Sequence, residues 1–367
     1  MRRQVFKPAS VVRILLAATI LILIGTSASK IASAQWWEGD KNDKVHIWPV
    51  KGNIYMLVGA GANIAASVGR DGVLLVDTGT VQMADEVIAA MKKIQRQLNT
   101  VPPPLGYSAE TRSSITYNSV EPPKPLRYIV NTSLDPEHVG GNAKLSVIGD
   151  TIAGGNVGSY APSGSAILAH ENVLLKISAI NPPVPDAALP TDVYNLEQYK
   201  LSSFFNGEGV LLVNAPAAKT DGDTMVYFRG SDVLATGDAF SNDRYPMIDI
   251  KNGGSIQGVL NALNHILDIA IPEFRTEGGT MIIPGHGRVC DSADAGYYRD
   301  MVTIIRDRIK NFMNKGMTLE QVKRSEPTLD YDPRFGSTTG PWTTDMFVEA
   351  VYNSLAQERQ QQQRRGN

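Results

Sequence analysis

The chain is short of sulfur, of net positive charge and of long apolar runs, and each shortage excludes something. Of its 367 residues only Cys290 is a cysteine. A lone cysteine cannot close an internal disulfide, so stability must come from the core and from any bound metal. Cys290 itself reads as a small apolar filler. Basic and acidic residues nearly balance, at 35 and 37. Five of the basic residues and none of the acidic ones fall in residues 1–34, which leaves 30 basic against 37 acidic residues in the remainder, a formal charge of −7. Nucleic-acid binding needs clustered Lys and Arg against phosphate, so a mildly acidic chain has no electrostatic case for it. The apolar run from Ile14 to Ile24 is well short of the roughly 20 residues that span a bilayer as a helix.

That run follows Arg2, Arg3, Lys7 and Arg13 and leads to Ala32-Ser33-Ala34, a small-x-small pattern before Gln35. A basic start, a short apolar stretch and a small-residue cleavage site make a secretory signal peptide. The expectation is that residues 1–34 are removed and the mature chain is periplasmic or secreted, with no stable membrane insertion after cleavage. No cysteine lies near the cleavage site, which excludes a lipoprotein.

Strand patterns crowd residues 45–48, 54–58, 63–68 and 73–76, split by Gly and Asp turns. A helix is expected over 83–98 and a strand over 127–131. Residues 101–125, rich in Pro, Ser and Thr, form a loop long enough to cover a cleft. After a Pro-rich irregular stretch at 181–190, strands return at 209–213, 224–228, 233–235 and 280–283, with a helix over 255–269. Two similar halves of this kind suggest two stacked sheets with helices outside, an α/β (α+β) domain over 35–293. From Asp294 the pattern turns helical, over 298–315, from a capping box at Thr318-Leu-Glu-Gln321, and over 344–355. This extension, 294–357, either packs on the domain or pairs with another subunit in a homo-oligomer. Residues 358–367, a Gln/Arg tail without an apolar face, are expected to be disordered.

The chemistry-bearing residues sit where strands end, as active sites on layered scaffolds usually do. Residues 131–142 read Asn-Thr-Ser-Leu-Asp-Pro-Glu-His-Val-Gly-Gly-Asn. Residues two apart in an extended segment point the same way, so Ser133, Asp135 and Glu137 should share a face. Gly140-Gly141 should let the backbone turn tightly into a following helix. Asp77 ends the segment Gly-Val-Leu-Leu-Val-Asp-Thr-Gly, Lys219 lies in Ala-Lys-Thr-Asp-Gly-Asp, Asp238 follows Gly237, and His286 lies in Pro-Gly-His-Gly.

In this order the segments resemble the metallo-β-lactamase superfamily, whose signature loop is H-x-H-x-D-H followed by Gly-Gly. On that register Ser133 and Asp135 replace the two leading histidines, Glu137 replaces the aspartate, and His138 is kept. Lys219 stands where a third histidine belongs, Asp238 where the bridging aspartate does, and His286 is the last ligand. The resemblance runs from about residue 45 to 288; it is specific as an ordered set and weak piece by piece. It implies a four-layer αββα sandwich, with a C-terminal helical extension similar to that of exported bacterial members. In the family, the two leading histidines and the third hold one metal. The aspartate, its adjacent histidine and the last histidine hold another, and one aspartate bridges both. Carried over, the first site has no histidine, while the second has Glu137, His138, Asp238 and His286. Two imidazoles and two carboxylates suit zinc, and would also suit iron or manganese. A protonated Lys219 cannot ligate a cation. It can replace one electrostatically, facing Asp135 in a partly buried ion pair whose net worth desolvation reduces.

The implied function is an exported hydrolase with a single divalent metal in the second site, activating water against an ester, amide, lactam or thioester of a small-molecule substrate. Asp238 or Asp135 would orient or deprotonate that water, and Lys219 would stabilise a developing oxyanion. Two other readings stay open: a non-catalytic protein that binds a small ligand in the same cleft, distinguished by the absence of tightly bound metal, and an iron redox protein, distinguished by colour. His46, His170 and His265 read as surface or packing residues, Asp221 and Asp223 as turn and hydrogen-bonding residues, and Asp77 as a brace for the site loops.

Overall fold

Strand side chains alternate between faces, and in the inner strands both faces are apolar, so these strands can carry a helix layer on one side and a second sheet on the other. The computed structural model describes residues 43–100, 125–150, 164–201, 204–270 and 279–366. The expected signal peptide and nearly all of the 101–125 loop lie outside the described residues. The first sheet contains, in spatial order, β1 (His46–Lys51), β2 (Ile54–Val58), β3 (Ile64–Gly69), β4 (Gly72–Val76), β5 (Leu126–Val130), β6 (Ala166–His170) and β7 (Asp192–Tyr194). It is antiparallel through β4 and parallel from β4 to β7. The second contains β8 (Gln198–Lys200), β9 (Val210–Asn214), β10 (Thr224–Phe228), β11 (Val233–Ala235) and β12 (Met281–Ile283), antiparallel except for the β11–β12 pair. The helices are α1 (Ala84–Thr100), α2 (Pro136–Val139), α3 (Asn142–Val147), α4 (Glu171–Ser178), α5 (Ile256–Ala270), α6 (Ser292–Asn314), α7 (Leu319–Arg324), α8 (Asp332–Phe335) and α9 (Thr344–Gly366).

β4 shows how the layers arise. Leu74 and Val76 face the second sheet, in one core with Val226, Phe228, Val233 and Ile283. Val73 and Leu75 face the other way, in a core with Ala84, Val87, Met91 and Ile94 of α1. On the second sheet Val226 and Phe228 point inward, while Met225 joins Leu263, Ile305 and Val351 of α5, α6 and α9. The stack is therefore helix, sheet, sheet, helix, the αββα sandwich, and burial on both faces explains the near-continuous apolar runs of the strands.

The helical region from α6 onward packs on the outer face of the second sheet. At α7 the capping box forms: the Thr318 hydroxyl accepts from Gln321 N–H, and Gln321 Oε1 accepts from Thr318 N–H at 2.8 Å. One expectation is corrected: the tail through Gly366 is helix, not disorder. Gln, Arg and Glu are good helix formers, and Arg359 anchors the last turns to α6 through Asn314 Oδ1 at 2.5 Å. Among the described residues no helix is long and apolar enough to cross a membrane.

Candidate metal centre

The two sheets deliver the polar residues to one edge of the sandwich. Asp77 follows β4, the 131–138 segment follows β5, Asp238 lies in a single 3-10 turn after β11, His286 follows β12, and Lys219 lies in the β9–β10 connection. The backbone ties these loops to one another. Thr78 N–H donates to His138 O at 2.8 Å, Asn242 N–H to His286 O at 3.1 Å and Asp249 N–H to Lys219 O at 2.9 Å.

The 131–142 segment departs from its expected shape. Pro136, pre-set for a first helical position, starts α2, so Glu137 and His138 lie on a helical turn rather than an extended strand. Only Ser133 and Asp135 behave as a pair, with Ser133 Oγ donating to Asp135 Oδ2 at 2.7 Å. Gly140 has an ordinary helical φ of −59° and Gly141 one of −79°. The reason for glycine here is close packing. A Cβ on Gly140 would lie 2.5 Å from Pro136 O and 2.6 Å from Val81 N, and one on Gly141 2.5 Å from Thr78 O.

Glu137, His138, Asp238 and His286 converge, each offering a ligand atom within 4.8 Å of the others. Glu137 Oε1 lies 3.4 Å from His286 Nε2, and Asp238 Oδ1 lies 3.5 Å from the same nitrogen. His138 is fully buried and is braced from behind by Asp77. Asp77 accepts from Thr132 N–H at 2.8 Å, from Thr132 Oγ1 at 2.6 Å and from His138 Nδ1 at 2.7 Å. This hydrogen bond places a proton on Nδ1 and aims Nε2 into the cluster. His138 Nε2 comes within 3.1 Å of Asp238 Oδ2, an ionic contact without hydrogen-bond alignment. Both His138 Nε2 and Asp238 Oδ1 are thus buried with no hydrogen-bond partner. Buried polar atoms are almost always satisfied, and a single cation between these two would satisfy both. The donor set, two imidazoles and two carboxylates, fits a divalent metal.

Lys219 is 2 % exposed, and its Nζ lies 2.5 Å from Asp135 Oδ2 and 2.5 Å from Asp238 Oδ2. Asp135 and Lys219 do face each other, and Asp238 is a second partner of the ammonium that was not expected from the sequence. Burial alone would disfavour charge on each of these groups, and mutual pairing reverses that. Asp238 is held well below the usual carboxylate range by His138 and Lys219. Lys219 is raised by Asp238 and Asp135, and His138 is raised well above the usual imidazole value by Asp238 and Asp77. Glu137 is lowered by its hydrogen bond to His286. The field that favours a proton on His138 equally favours a metal cation, with which that proton competes.

Other residues fall where packing puts them. His46 is exposed and His265 half-buried on α5. His170 caps α4, its Nδ1 accepting from Asn172 N–H at 3.2 Å. Asp223 is a loop brace, accepting from Thr220 N–H and Oγ1 at 2.8 and 2.7 Å, and burial pushes its carboxyl up to about 7. Gly285 leaves room for the cluster, since a Cβ there would lie 2.4 Å from Asp238 Oδ1. Thr132, which completes the Asp77 brace, carried no recognisable signal in the sequence.

A fold of two sheets with its ligand residues on strand-end loops at one edge is that of the metallo-beta-lactamase superfamily. The superfamily's sequence model matches residues 49–286, and the chain belongs to that superfamily. No curated protein sequence matches the chain. Among solved structures, the inverting sec-alkylsulfatase Pisa1 from Pseudomonas sp. is 16% identical with a TM-score of 0.55, over 84% of this chain and 50% of that one. This chain thus spans about half the length of that enzyme. The metallo-beta-lactamase DIM-1 is 15% identical with a TM-score of 0.47, over 71% of this chain and 97% of that one. A metallo-beta-lactamase from Pontibacter korlensis is 11% identical with a TM-score of 0.46, over 71% and 99%.

Proposed function

We propose that the chain is an exported hydrolase that works with one divalent metal, zinc in the first instance, held by Glu137, His138, Asp238 and His286. The observation that carries this reading is the pair of buried atoms without a hydrogen-bond partner, His138 Nε2 and Asp238 Oδ1, inside a four-residue cluster of ligand type. When bound, such an ion supplies Lewis acidity, which polarises the bond under attack and makes water a nucleophile at neutral pH. The protein's own groups do the rest. Asp77 fixes the ring of His138, and Lys219 holds Asp238 ionised through the oxygen that does not face His286. Asp135, with 29% of its side chain exposed and outside the ligand set, is the carboxylate that can take a proton from water. The ammonium between Asp135 and Asp238 places fixed positive charge beside any negative charge that develops on the substrate.

The substrate class is an ester, amide, lactam or thioester of a small molecule, and the alkylsulfatase similarity adds sulfate esters to the classes worth testing. Purified protein should be assayed against one member of each class, as isolated, after chelation and after metal is restored. Hydrolysis of at least one class, lost on chelation and regained on reloading, is the expected result. Tight metal binding with no hydrolysis of any class would contradict the hydrolase reading, and the absence of tightly bound metal would favour a ligand-binding protein. Export through the leader at 1–34 is part of the same proposal. Amino-terminal sequencing should find Gln35 first, and an intact Met1 in a membrane fraction would contradict it.

A further inference from the structure

We infer that Lys219 is a resident cation that occupies the first metal position, so that the chain takes one ion because this side chain already fills the other position and brings its charge to it. The inference rests on the single-metal reading above and goes further by stating what limits the number. Three independent features support it. The ammonium touches two carboxylates from separate loops, 2.5 Å from Asp135 and 2.5 Å from Asp238. It thus stands between the cluster carboxylate and an outlying acid, as a shared cation would.

Asp135 gives the second feature. It occupies the N-cap position of α2, where an aspartate ordinarily accepts a hydrogen bond from the first helical turn. It makes no such bond. Its Oδ2 turns instead to Lys219 and to the Ser133 hydroxyl. A local interaction of ordinary worth is given up to complete the contact with the ammonium.

The third feature is the support beneath Lys219. A long flexible side chain is a poor substitute for a metal unless its root is fixed. Lys219 O accepts from Asp249 N–H at 2.9 Å, Ala217 O accepts from Ser255 N–H at 2.9 Å, and Thr220 is held by Asp223. Ala217 sits at a left-handed φ of 58°, a conformation that non-glycine residues adopt only when the surroundings impose it. With its root fixed and 2% exposure, the ammonium cannot swing aside to admit a second ion. Lys219 is therefore a positioning residue: it holds Asp238 through Oδ2 and leaves Oδ1 toward His286.

Truncating Lys219 should open a position flanked by Asp135, Asp238 and Ser133, whereas a neutral side chain of similar length should keep it filled. The test is calorimetric zinc titration with elemental analysis on the full mature chain, comparing wild type, Lys219→Ala, Lys219→Met and Lys219→His, with circular dichroism to establish folding. Wild type and Lys219→Met should saturate at one ion. Lys219→Ala should rise to two, the second weaker, and Lys219→His should hold the second more tightly. A stoichiometry of one in both Lys219→Ala and Lys219→His, or of two in wild type, would overturn the inference. If Lys219→Ala does not fold, Lys219→His decides by the same criterion. A wild type that binds no ion would contradict the single-metal reading alone; a gain of one ion in Lys219→His would still support the role of Lys219, and no gain would overturn it.

Discussion

Replacing Asp77 by Asn tests whether His138 is presented to a metal through Nε2. The side chain is 1% exposed, and the change exchanges one oxygen for an NH2 of nearly the same size. Its left-handed φ of 69° suits Asn as well as Asp, so the backbone is not strained. The amide oxygen keeps the bond from Thr132 N–H, and the hydroxyl of Thr132 can reverse its direction. The imidazole cannot accommodate the change so easily: with an NH2 2.7 Å away, Nδ1 must give up its proton. The neutral ring then carries its proton on Nε2, the atom aimed at Asp238 and the cluster. One charge-assisted hydrogen bond is lost, worth about 1.5–3 kcal/mol. Changes to such outer partners of ligating histidines typically cost about 10- to 100-fold in metal affinity. The assay is competition titration against a chromophoric chelator, alongside urea denaturation of the metal-free protein. A folded Asp77→Asn variant with unchanged metal affinity would show that His138 Nε2 is not a ligand and would refute the reasoning.

Two further outcomes follow from the same geometry. In a double-mutant cycle, Lys219→Ala and Asp135→Ala together should destabilise by less than the sum of the two single changes, because both remove the same contact; Asp135→Ala is the milder, since it leaves Lys219 paired with Asp238. The effect is on the order of 3 kcal/mol for a well-buried pair and is reduced here by the 29% exposure of the Asp135 side chain; strict additivity in chemical denaturation would remove the pair. Asp223 should make stability fall with rising pH. Its folded carboxyl titrates at about 7, above the unfolded value near 3.9, so the folded state binds the proton more tightly. Its contribution is complete below the unfolded value and is lost as pH rises through about 7, by up to a few kcal/mol. Asp223→Asn should therefore gain on wild type between pH 5 and pH 8 in denaturation experiments, and a pH-independent difference would contradict the shift.

Much of this was legible in the sequence because it depended on short-range rules. β2, β10 and β11 occupy the expected residues, since their apolar runs are bounded by Gly and Asp turns. The superfamily could be read from five strand-end segments in order, although three histidines were missing. What could not be read depended on packing between distant segments. The Gly140-Gly141 pair looks like a turn signal, yet its function is to let Pro136 O and Val81 N approach. Pro136 turns Glu137 away from the face it would share with Ser133 in an extended chain, toward His286. The C-terminal end of α9 was missed because a segment without an apolar face can still be helical when its residues favour helix and one arginine reaches a neighbour. β7 and β8, three residues each with exposed polar positions, carry too little pattern to be recognised.

The central claim is that one cation position is open and the other is closed by Lys219. Elemental analysis of the purified mature chain, after dialysis against metal-free buffer, tests it most directly. The account predicts one divalent ion per wild-type chain and none in His286→Ala. Two ions per chain in wild type, or one retained in His286→Ala, would contradict it.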